Sequence, residues 1–225
     1  MRTLGLVPAR GGSTRVPRKN LAVLGGRTLV RRALETALAA GCFEVFALSS
    51  DDDEILAEAD GLAVVALRRP PELSTETARA REFALHAFRD LGDFDALAIL
   101  QCTSPFTAPE DVRGAVELLE HTGAESVVTV AVADAAHHPL KMKRLEGDRL
   151  EPFLEDDRLT PSHELERLWV RNGSVYAFRR DVVLEKGLEA DDVRGYEMPA
   201  ERSFDIDTAE DLAFAQFLVE RGDRA

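Results

Sequence analysis

Short apolar segments alternate with amphipathic helical patterns along the first 132 residues, and this alternation constrains the fold more strongly than any other feature of the chain. Each apolar segment has the length of a buried strand, and the patterns between them have helical spacing. Strands that alternate with helices in this way form a mostly parallel sheet. We therefore predict an α/β, Rossmann-like fold with helices on both faces of the sheet.

The same pattern places the individual elements. Strands are expected at residues 4–7, 44–48, 62–67, 96–100, 127–132 and 169–178. Helices are expected at residues 28–40, within 49–60, and at 75–91, 109–121 and 208–221. Thr28 and Gly41 are the predicted N-cap and stop signal of the first helix, and Thr208 is the predicted N-cap of the last.

Residues 134–168 break this alternation. They are polar and charged, show no clear period, and form too long a segment for an ordinary connection. A chain of 225 residues has the length of one domain. We therefore predict a single domain over residues 1–225, with residues 134–168 as an insertion, called the arm segment below, that forms a homodimer.

The chain is acidic, with a formal net charge of −13. This balance argues against nucleic acid as a partner, because binding to a phosphate backbone requires a basic face. A local cluster of cations can still attract a small anion. Two cysteines, Cys42 and Cys102, are too few for a disulfide framework. We see no signal peptide and no apolar run as long as a membrane span, so we expect a cytoplasmic protein without a membrane partner.

In open α/β sheets, ligands bind at the loops that follow the carboxyl ends of the strands. The predicted strands place five segments there: residues 8–20, 49–53, 68–77, 101–107 and 203–208. The first segment contains the sequence ARGGSTRVPRKN. Gly11 and Gly12 let a ligand approach the backbone, and their amides can form an anion-binding concavity with that of Ser13. Positive charge is available from Arg10, Arg15 and Lys19.

This loop matches neither of two common phosphate motifs. It lacks the G-x-G-x-x-G of dinucleotide-binding proteins, and Lys19 is not preceded by the glycine of a Walker A loop. From the residues alone, two interpretations stay open. The loop either binds a polyphosphate or is a solvated surface loop with scattered cations.

The run R-G-G-S-x-R-x-P-x-K-N resembles the signature loop of the acylneuraminate cytidylyltransferases. The resemblance implies the nucleotide-diphospho-sugar transferase type of fold and a loop that holds a nucleotide triphosphate. Arg10 and Lys19 would then stabilise the leaving pyrophosphate. The nucleotide-binding residues that it implies in this loop are Ala9, Arg10, Gly11, Gly12, Ser13 and Asn20.

Two further segments are similar to the family's pattern. LRRPPELSTET, residues 67–77, implies contacts of Arg69 and Thr77 with the base and ribose, although Ala80 lies near the position of a serine that reads cytosine in the family. LQCTSPF, residues 100–106, implies that the substrate is contacted by Gln101, Thr103 and Ser104. As an isolated feature, each segment can also be read as an ordinary surface loop.

Two later segments match the family's pattern less regularly. HHPLK, residues 137–141, matches H-P-x-K, and the resemblance implies that Lys141 in a dimerising arm contacts an anionic substrate near the neighbouring active site. VRNGSVYAF, residues 170–178, resembles R-x-N-G-x-x-Y and implies substrate contacts of Arg171, Asn172 and Tyr176. Arg171 directly precedes Asn172, whereas the family pattern separates the two by one residue.

RSFDIDTAEDL, residues 202–212, resembles S-x-D-I-D-T-x-x-D-L. We predict that Asp205 and Asp207 alternate on a strand, so that both side chains point to the same side. Two carboxylates on one side can hold Mg²⁺, which prefers oxygen ligands and substrate phosphates. The alternative is that Asp207 and Thr208 only cap the last helix.

The resemblance covers residues 4–218 and implies an enzyme that converts CTP and a 3-deoxy-2-ulosonic, sialic-type acid to a CMP-sugar and pyrophosphate. Its implied catalytic residues are Arg10, Lys19 and Asp207, with Mg²⁺ bound by Asp205 and Asp207. Two alternatives stay open. The first is an enzyme of the same fold that uses another acid, such as a Kdo-like, legionaminic- or pseudaminic-type acid or a phosphonate, or another nucleotide. The second is a non-catalytic, nucleotide-binding dimer.

Overall fold

The structure, a computed structural model, describes residues 1–13, 15–75, 77–154 and 161–222. The strands are β1 (Thr3–Pro8), β2 (Val23–Leu24), β3 (Arg27–Thr28), β4 (Val45–Ser50), β5 (Val65–Arg68), β6 (Ala96–Leu100), β7 (Ser126–Val132), β8 (Lys143–Glu146), β9 (Arg149–Pro152), β10 (Trp169–Arg179) and β11 (Val193–Glu197). The α-helices are α1 (Leu29–Ala40), α2 (Asp53–Ala57), α3 (Ala80–Leu91), α4 (Pro109–Thr122), α5 (Arg180–Leu184) and α6 (Ala209–Glu220).

Seven of the strands form the central sheet, in the order β11-β7-β10-β6-β1-β4-β5. Strand β1 pairs in parallel with both β4 and β6. Strand β4 also pairs in parallel with β5, and β7 pairs in parallel with β11. Strand β10 is antiparallel to both of its neighbours, β6 and β7. The sheet is therefore mostly parallel, as the alternating pattern predicts.

Helices cover both faces of this sheet, and each face has its own buried core. Buried residues of α1, α2, α4 and α6 pack in one cluster with Val7 of β1. Buried residues of α3 and α5 pack in a second cluster with Leu4 and Leu6 of the same strand. Because successive side chains of a strand point to opposite faces, the apolar run in β1 supplies both cores. The predicted α/β class is confirmed.

Local sequence signals fix the ends of several helices. The Thr28 side chain accepts a hydrogen bond from the Arg31 amide (3.1 Å) at the start of α1, and Gly41 ends that helix with a φ of +63°. Thr208 accepts a hydrogen bond from the Asp211 amide (3.2 Å) at the start of α6. These are the caps that the sequence predicts, and they satisfy amide groups that have no partner within the helix.

Three predictions for individual elements are corrected. Helix α3 starts at Ala80 and not at Thr75, because a short 3₁₀ turn at Pro71–Leu73 and an irregular link precede it. Residues 203–207 belong to no strand. The arm segment contains the antiparallel hairpin of β8 and β9, and its residues 155–160 lie outside the described part of the chain.

The sequence pattern also missed α5 and β11. Strand β11 lies at the edge of the sheet and is largely exposed, so it lacks a continuous apolar run. Among the residues that the structure describes, no helix has the length and apolarity needed to cross a membrane.

Candidate active site

A cleft of about 480 Å³ opens at the carboxyl ends of β1, β5 and β6. It is lined by residues from four of the segments that the sequence analysis singled out, including the loop after β1 and the one before α6. Its lining residues are Pro8, Arg10, Ser13, Arg15, Val16, Lys19, Asn20, Arg69, Leu73, Thr75, Ala78, Ala80, Phe83, Gln101 and Asp207. We call this cavity the cationic cleft.

The first loop enters the cationic cleft with part of its backbone already bonded. The Ala9 amide donates to the Ser49 carbonyl oxygen (2.9 Å), which extends the pairing of β1 with β4. The Gly11 amide donates to Oδ1 of Asp51 (3.0 Å). The Gly11 amide is therefore used within the protein, and an anion-binding concavity formed by the amides of Gly11, Gly12 and Ser13 stays a prediction. At Gly12 an added Cβ would meet only open space.

The cations of the loop differ in where they point. Arg15 forms an ion pair with Asp207 across the cleft (3.0 Å), and Lys19 Nζ lies 2.8 Å from the Ile206 carbonyl oxygen. Arg10 donates to the Thr75 carbonyl oxygen (3.2 Å) at the cleft wall. Arg18 turns away and pairs with acidic residues at the start of α2. Three cations of the loop thus line the cationic cleft.

Two polar side chains of the loop, those of Asn20 and Ser13, have different roles in the cationic cleft. The Asn20 side chain donates to the Arg10 carbonyl oxygen (2.9 Å), and it closes the loop on itself. The Ser13 hydroxyl is buried and has no hydrogen-bond partner within the described residues. A buried hydroxyl without a partner is unfavourable, so Ser13 is suited to bind a polar ligand group in the cleft.

Arg69 is a buried arginine at the wall of the cationic cleft, with 4% of its surface exposed. Its guanidinium donates to the side-chain hydroxyl (3.0 Å) and the carbonyl oxygen (2.7 Å) of Ser49, and it stacks on the ring of Phe83 at 4.8 Å. Burial lowers the pKa of Arg69 to about 10, while the charge of Asp51 acts in the opposite direction. Arg69 remains charged at neutral pH and is held rigidly.

The other residue predicted in this segment, Thr77, is exposed and is not among the cleft-lining residues; its hydroxyl lies 3.3 Å from that of Thr75. Thr75 and Ala78 line the cleft in its place. The difference follows from the late start of α3, because the irregular link before that helix turns Thr77 outwards.

Asp205 and Asp207 flank the buried Ile206 at the edge of the cleft. Asp207 pairs with Lys19 (3.4 Å) as well as with Arg15. Desolvation raises the pKa of Asp205, a hydrogen bond from Thr103 opposes this effect, and the charge of Asp207 adds to it. The two carboxylates therefore lie close enough to repel each other, which a shared cation would relieve.

The predicted strand is absent here, because the Ile206 amide bonds only to the Thr103 carbonyl oxygen (2.8 Å) outside any strand ladder. Asp205 and Asp207 nevertheless offer two oxygen donors beside a cleft that suits phosphates, and this donor set fits Mg²⁺. Within the described residues, no group of three or more potential metal ligands occurs. A bound ion would therefore need oxygen ligands from the substrates in addition.

A second cleft of about 650 Å³ lies beside Asp205, at the carboxyl end of β7. We call it the lateral cleft. Its lining residues are Ala131, Val132, Val170, Arg171, Asn172, Gly173, Tyr176, Ala200, Ser203 and Asp205. Arg171 supplies the cation of this cleft, and Tyr176 is half-buried in it. Burial raises the pKa of the Tyr176 hydroxyl, so this group stays protonated and can donate a hydrogen bond.

A bulge in β10 shapes this cleft. Residues 172–175 lie opposite the single residue Thr129 of β7, and Gly173 has a φ of +77°. Asn172 is buried and accepts a hydrogen bond from the Thr129 hydroxyl (2.7 Å), while its amide group donates to the Ser203 hydroxyl (2.9 Å). Both ends of the Asn172 side chain are thus used within the protein, and its contribution is to hold the bulge.

The loop after β6 lies between the two clefts. Gln101 lines the cationic cleft, and its backbone N–H donates to the Ser174 carbonyl oxygen (3.0 Å). The Thr103 side chain donates a hydrogen bond to the Asp205 carboxylate, and the Thr103 carbonyl oxygen accepts one from the Ile206 amide. The Ser104 hydroxyl is buried without a partner among the described residues. Lys141 is exposed in the arm segment, donates to the Ser162 hydroxyl (2.8 Å), and lies outside both clefts.

Two residues of this region were missed by the sequence analysis. Ser49 accepts two hydrogen bonds from the Arg69 guanidinium, and Asp51 accepts one from the Gly11 amide. Residues 49–53 were singled out as a strand-end loop, but only the fold shows which neighbours they contact.

The protein has an α/β fold with two clefts at one edge of its sheet, and the cationic cleft has the charge that a phosphorylated ligand requires. The cytidylyltransferase family model matches residues 4–182, which is more than half of the chain. The chain belongs to this cytidylyltransferase family, and is therefore a nucleotidyltransferase.

The chain is similar to two named relatives over nearly all of its length. It is 31% identical to the CMP-N,N'-diacetyllegionaminic acid synthase of Legionella pneumophila, covering 100% of this chain and 99% of that protein. It is 30% identical to N-acylneuraminate cytidylyltransferase A of Danio rerio, covering 96% of this chain but 50% of that protein. The chain thus spans about half the length of the Danio relative.

The fold is also similar to a solved structure. CMP:2-keto-3-deoxy-manno-octonic acid synthetase in complex with CTP aligns with a TM-score of 0.75 at 18% identity, over 99% of this chain and 100% of that one. At this identity the likeness supports the fold, which agrees with the predicted type of nucleotide-sugar transferase.

Proposed function

We propose that this enzyme transfers CMP from CTP to a 3-deoxy-2-ulosonic, sialic-type acid and releases pyrophosphate. The observation that carries the proposal is the placement of Asp205 and Asp207 between a cleft lined by Arg10, Arg15 and Lys19 and a second cleft lined by Arg171 and Tyr176. The names of the Legionella and Danio relatives support the same reaction.

The cationic cleft is the proposed CTP site. Arg10, Lys19, the open backbone at Gly12 and the Ser13 hydroxyl would surround the triphosphate, while Arg69 holds the wall near the ribose and base. The anomeric hydroxyl of the acid attacks the α-phosphorus in line, a new oxygen–phosphorus bond forms, and the bond to the pyrophosphate breaks. Positioning and neutralisation of charge are the main contributions of the protein to such a reaction.

Asp207 is the proposed acceptor of the proton that the attacking hydroxyl loses, and its exposed carboxylate lies between Lys19 and Arg15. We also propose Mg²⁺ as the cofactor, held by Asp205 and Asp207. A bound Mg²⁺ would polarise the α-phosphate and lower the pKa of the attacking hydroxyl. Lys19 and Arg10 would neutralise the charge that develops on the leaving pyrophosphate.

The lateral cleft is the proposed acceptor site. Arg171 would pair with the carboxylate of the acid, and the Tyr176 hydroxyl would donate to one of its oxygens. Gln101, Thr103 and Ser104 form the border that the acceptor hydroxyl must approach. Asn172 supports this site through the bulge of β10.

We propose a homodimer formed by the arm segment. The hairpin of β8 and β9 exposes apolar side chains, with Leu145 68% and Leu150 65% exposed, which is unfavourable in water unless they are covered. Lys141 lies outside both clefts of its own chain, so we propose that it serves the neighbouring active site. The free thiols of Cys42 and Cys102 agree with the reducing cytoplasm that we propose as the location.

A related acid is a second candidate for the acceptor. The lateral cleft has an apolar wall, in which Val132 is 39% and Val170 54% exposed. Such a wall suits an acceptor that carries methyl or acyl groups in place of some hydroxyls. The name of the Legionella relative favours a legionaminic-type acid as the first of these to test.

Pyrophosphate release tests the proposal. The assay contains CTP and Mg²⁺ with N-acetylneuraminate, a legionaminic-type acid or Kdo, and the same mixtures with ATP, GTP or UTP. We expect turnover with CTP and a sialic- or legionaminic-type acid, and its loss in Asp207→Ala. Glu210→Ala, which removes an exposed carboxylate three residues away, is the matched control and should leave turnover unchanged.

The other outcomes separate the alternatives. Turnover with only Kdo or only another nucleotide would contradict the proposed substrates but keep the reaction class. Tight Mg²⁺-dependent binding of CTP without turnover on these acids would keep the proposed CTP site and direct the search to other acids, such as a pseudaminic-type acid or a phosphonate. Absence of turnover on those acids as well would favour a non-catalytic, nucleotide-binding dimer. Equal turnover in Asp207→Ala and the wild type would contradict the role of Asp207.

A further inference from the structure

We propose that Asp51 is a positioning residue that fixes the phosphate-binding loop from behind, an inference that rests on the proposed CTP site. The observation is the hydrogen bond from the Gly11 amide to Oδ1 of Asp51, with a length of 3.0 Å. Asp51 is not among the residues that line the cationic cleft. Its carboxylate therefore acts on the loop rather than on the ligand.

Asp51 is well placed to act as an anchor because it is itself held. It directly follows β4, whose last residue, Ser50, accepts a hydrogen bond from the Asp52 amide through its side chain (3.1 Å). The main-chain oxygen of Asp51 accepts a further hydrogen bond from Arg68 (2.8 Å). The turn between β4 and α2 is thus constrained on both sides of the carboxylate that binds Gly11.

A second contact restricts the same glycine. A Cβ added to Gly11 would lie 2.7 Å from Oδ2 and 2.9 Å from Cβ of Asp52. Asp52 cannot easily move away, because its Oδ1 caps α2 by accepting hydrogen bonds from the amides of Glu54 (2.8 Å) and Ile55 (3.2 Å). Gly11 is therefore held between the hydrogen bond to Asp51 and the side chain of Asp52. The residues that follow, Gly12 and Ser13, start from a fixed point at the cleft.

The charge of Asp51 and its hydrogen bond to Gly11 should affect CTP binding in opposite directions, so an experiment can separate the two effects. A carboxylate behind a site for a polyanion lowers the affinity by its charge alone. Removal of the carboxylate should thus tighten CTP binding if charge dominates, and weaken it if the hydrogen bond to Gly11 positions the loop.

The test compares Asp51→Ala and Asp51→Asn with the wild type. Asparagine keeps a side-chain oxygen that can accept from the Gly11 amide, whereas alanine does not. Asp60→Ala is the control, because it removes an exposed carboxylate just after α2 and leaves Gly11 and the contact of Arg68 with Asp51 in place. The readouts are the Kd of CTP with Mg²⁺ by calorimetry, the KM values of CTP and acceptor, and the urea midpoint.

We expect the Kd and KM of CTP to rise about ten-fold in Asp51→Ala, which corresponds to the loss of one charge-assisted hydrogen bond. The KM of the acceptor should stay within about two-fold, and Asp51→Asn should restore most of the CTP affinity. A lower or unchanged Kd in Asp51→Ala would overturn the inference, as would failure of Asp51→Asn to differ from Asp51→Ala. If wild-type protein binds no CTP, the proposed function itself fails, and the inference is overturned with it.

Discussion

The ammonium group of Lys19 lies 2.8 Å from the carbonyl oxygen of Ile206, so one side chain joins the loop after β1 to the segment that precedes α6. The same group lies 3.4 Å from the carboxylate of Asp207. The side chain of Lys19 is only 15% exposed, and its position is therefore fixed from both sides of the cationic cleft. A cation held in this way can stabilise charge in a transition state without first reorganising.

Lys19→Ala should lower kcat about 10²–10³-fold, which corresponds to about 3–4 kcal/mol of transition-state stabilisation, as for the loss of one preorganised donor. Initial rates of pyrophosphate release would measure this. Arg18→Ala removes the neighbouring cation, which points to α2 and away from the cleft, and should change kcat less than about three-fold. A kcat for Lys19→Ala within a few-fold of wild type would contradict the proposed role.

Arg69→Lys should weaken both the fold and the binding of CTP. A lysine cannot reproduce two hydrogen bonds to Ser49 together with stacking on Phe83, so we expect a loss of about 1–3 kcal/mol in the free energy of unfolding and a higher KM for CTP. Urea unfolding and steady-state kinetics would measure the two effects. Arg89→Lys, at an exposed position of α3, serves as the control, and equal stability of the two variants would refute the prediction.

Asp205→Asn should make the protein more stable at neutral pH while impairing its activity. The pKa of Asp205 is raised in the folded state, chiefly by desolvation, so ionisation of this group opposes folding. The penalty is absent below the unfolded-state pKa of 3.8 and fully present above the folded-state pKa. The free energy of unfolding of the wild type should therefore fall as the pH rises through the acidic range, because Asp205 ionises there. That of Asp205→Asn should not show this fall.

Urea unfolding from about pH 4 to about pH 8 would test this sign, with Glu210→Gln as an exposed carboxylate control. The prediction does not hold if Asp205→Asn is less stable than the wild type at neutral pH. A gain in stability together with a loss of turnover would identify Asp205 as a residue kept for function at the expense of stability.

Replacing both Leu145 and Leu150 by aspartate should convert the proposed dimer to a monomer. The two side chains are directly opposite each other in the hairpin of β8 and β9, and each is largely exposed. Two charges at the centre of a buried apolar interface would abolish association at micromolar protein concentrations. Light scattering coupled to gel filtration would report the mass. The double variant Glu146→Ala/Arg149→Ala changes the neighbouring polar pair and should remain dimeric; a monomeric wild type would rule out the interface.

The parts of the fold that were predictable are those with strong periodicity and local caps. The buried strands lie within a few residues of their predicted bounds, since an apolar run between turn signals permits few other placements. Thr28 and Thr208 cap the starts of their helices, and Gly41 the end of α1, as predicted. Such capping depends only on neighbours in the sequence. Strand β11 was not predictable from apolar periodicity, because an exposed edge strand needs no continuous apolar run.

The site shows the same division between local and non-local information. The sequence placed Arg10, Lys19 and Asp207 in strand-end loops, and the parallel sheet brings these loops to one edge. The hydrogen bond of Gly11 to Asp51 could not be foreseen, because it joins loops that meet only when β1 pairs with β4. The same limit applies to Asp205 and Asp207: their spacing indicated shared chemistry, but the backbone that presents them is not the predicted strand.

The two clefts draw on different stretches of the chain. Apart from Asp207, the cationic cleft is lined by residues no later than Gln101, whereas every residue that lines the lateral cleft lies at Ala131 or beyond. The proposed donor and acceptor sites can therefore diverge separately during evolution. Exchange of one gene segment between relatives, covering residues 131–205 alone, would retune the proposed choice of acid and leave the residues of the proposed nucleotide site, Asp207 included, unchanged.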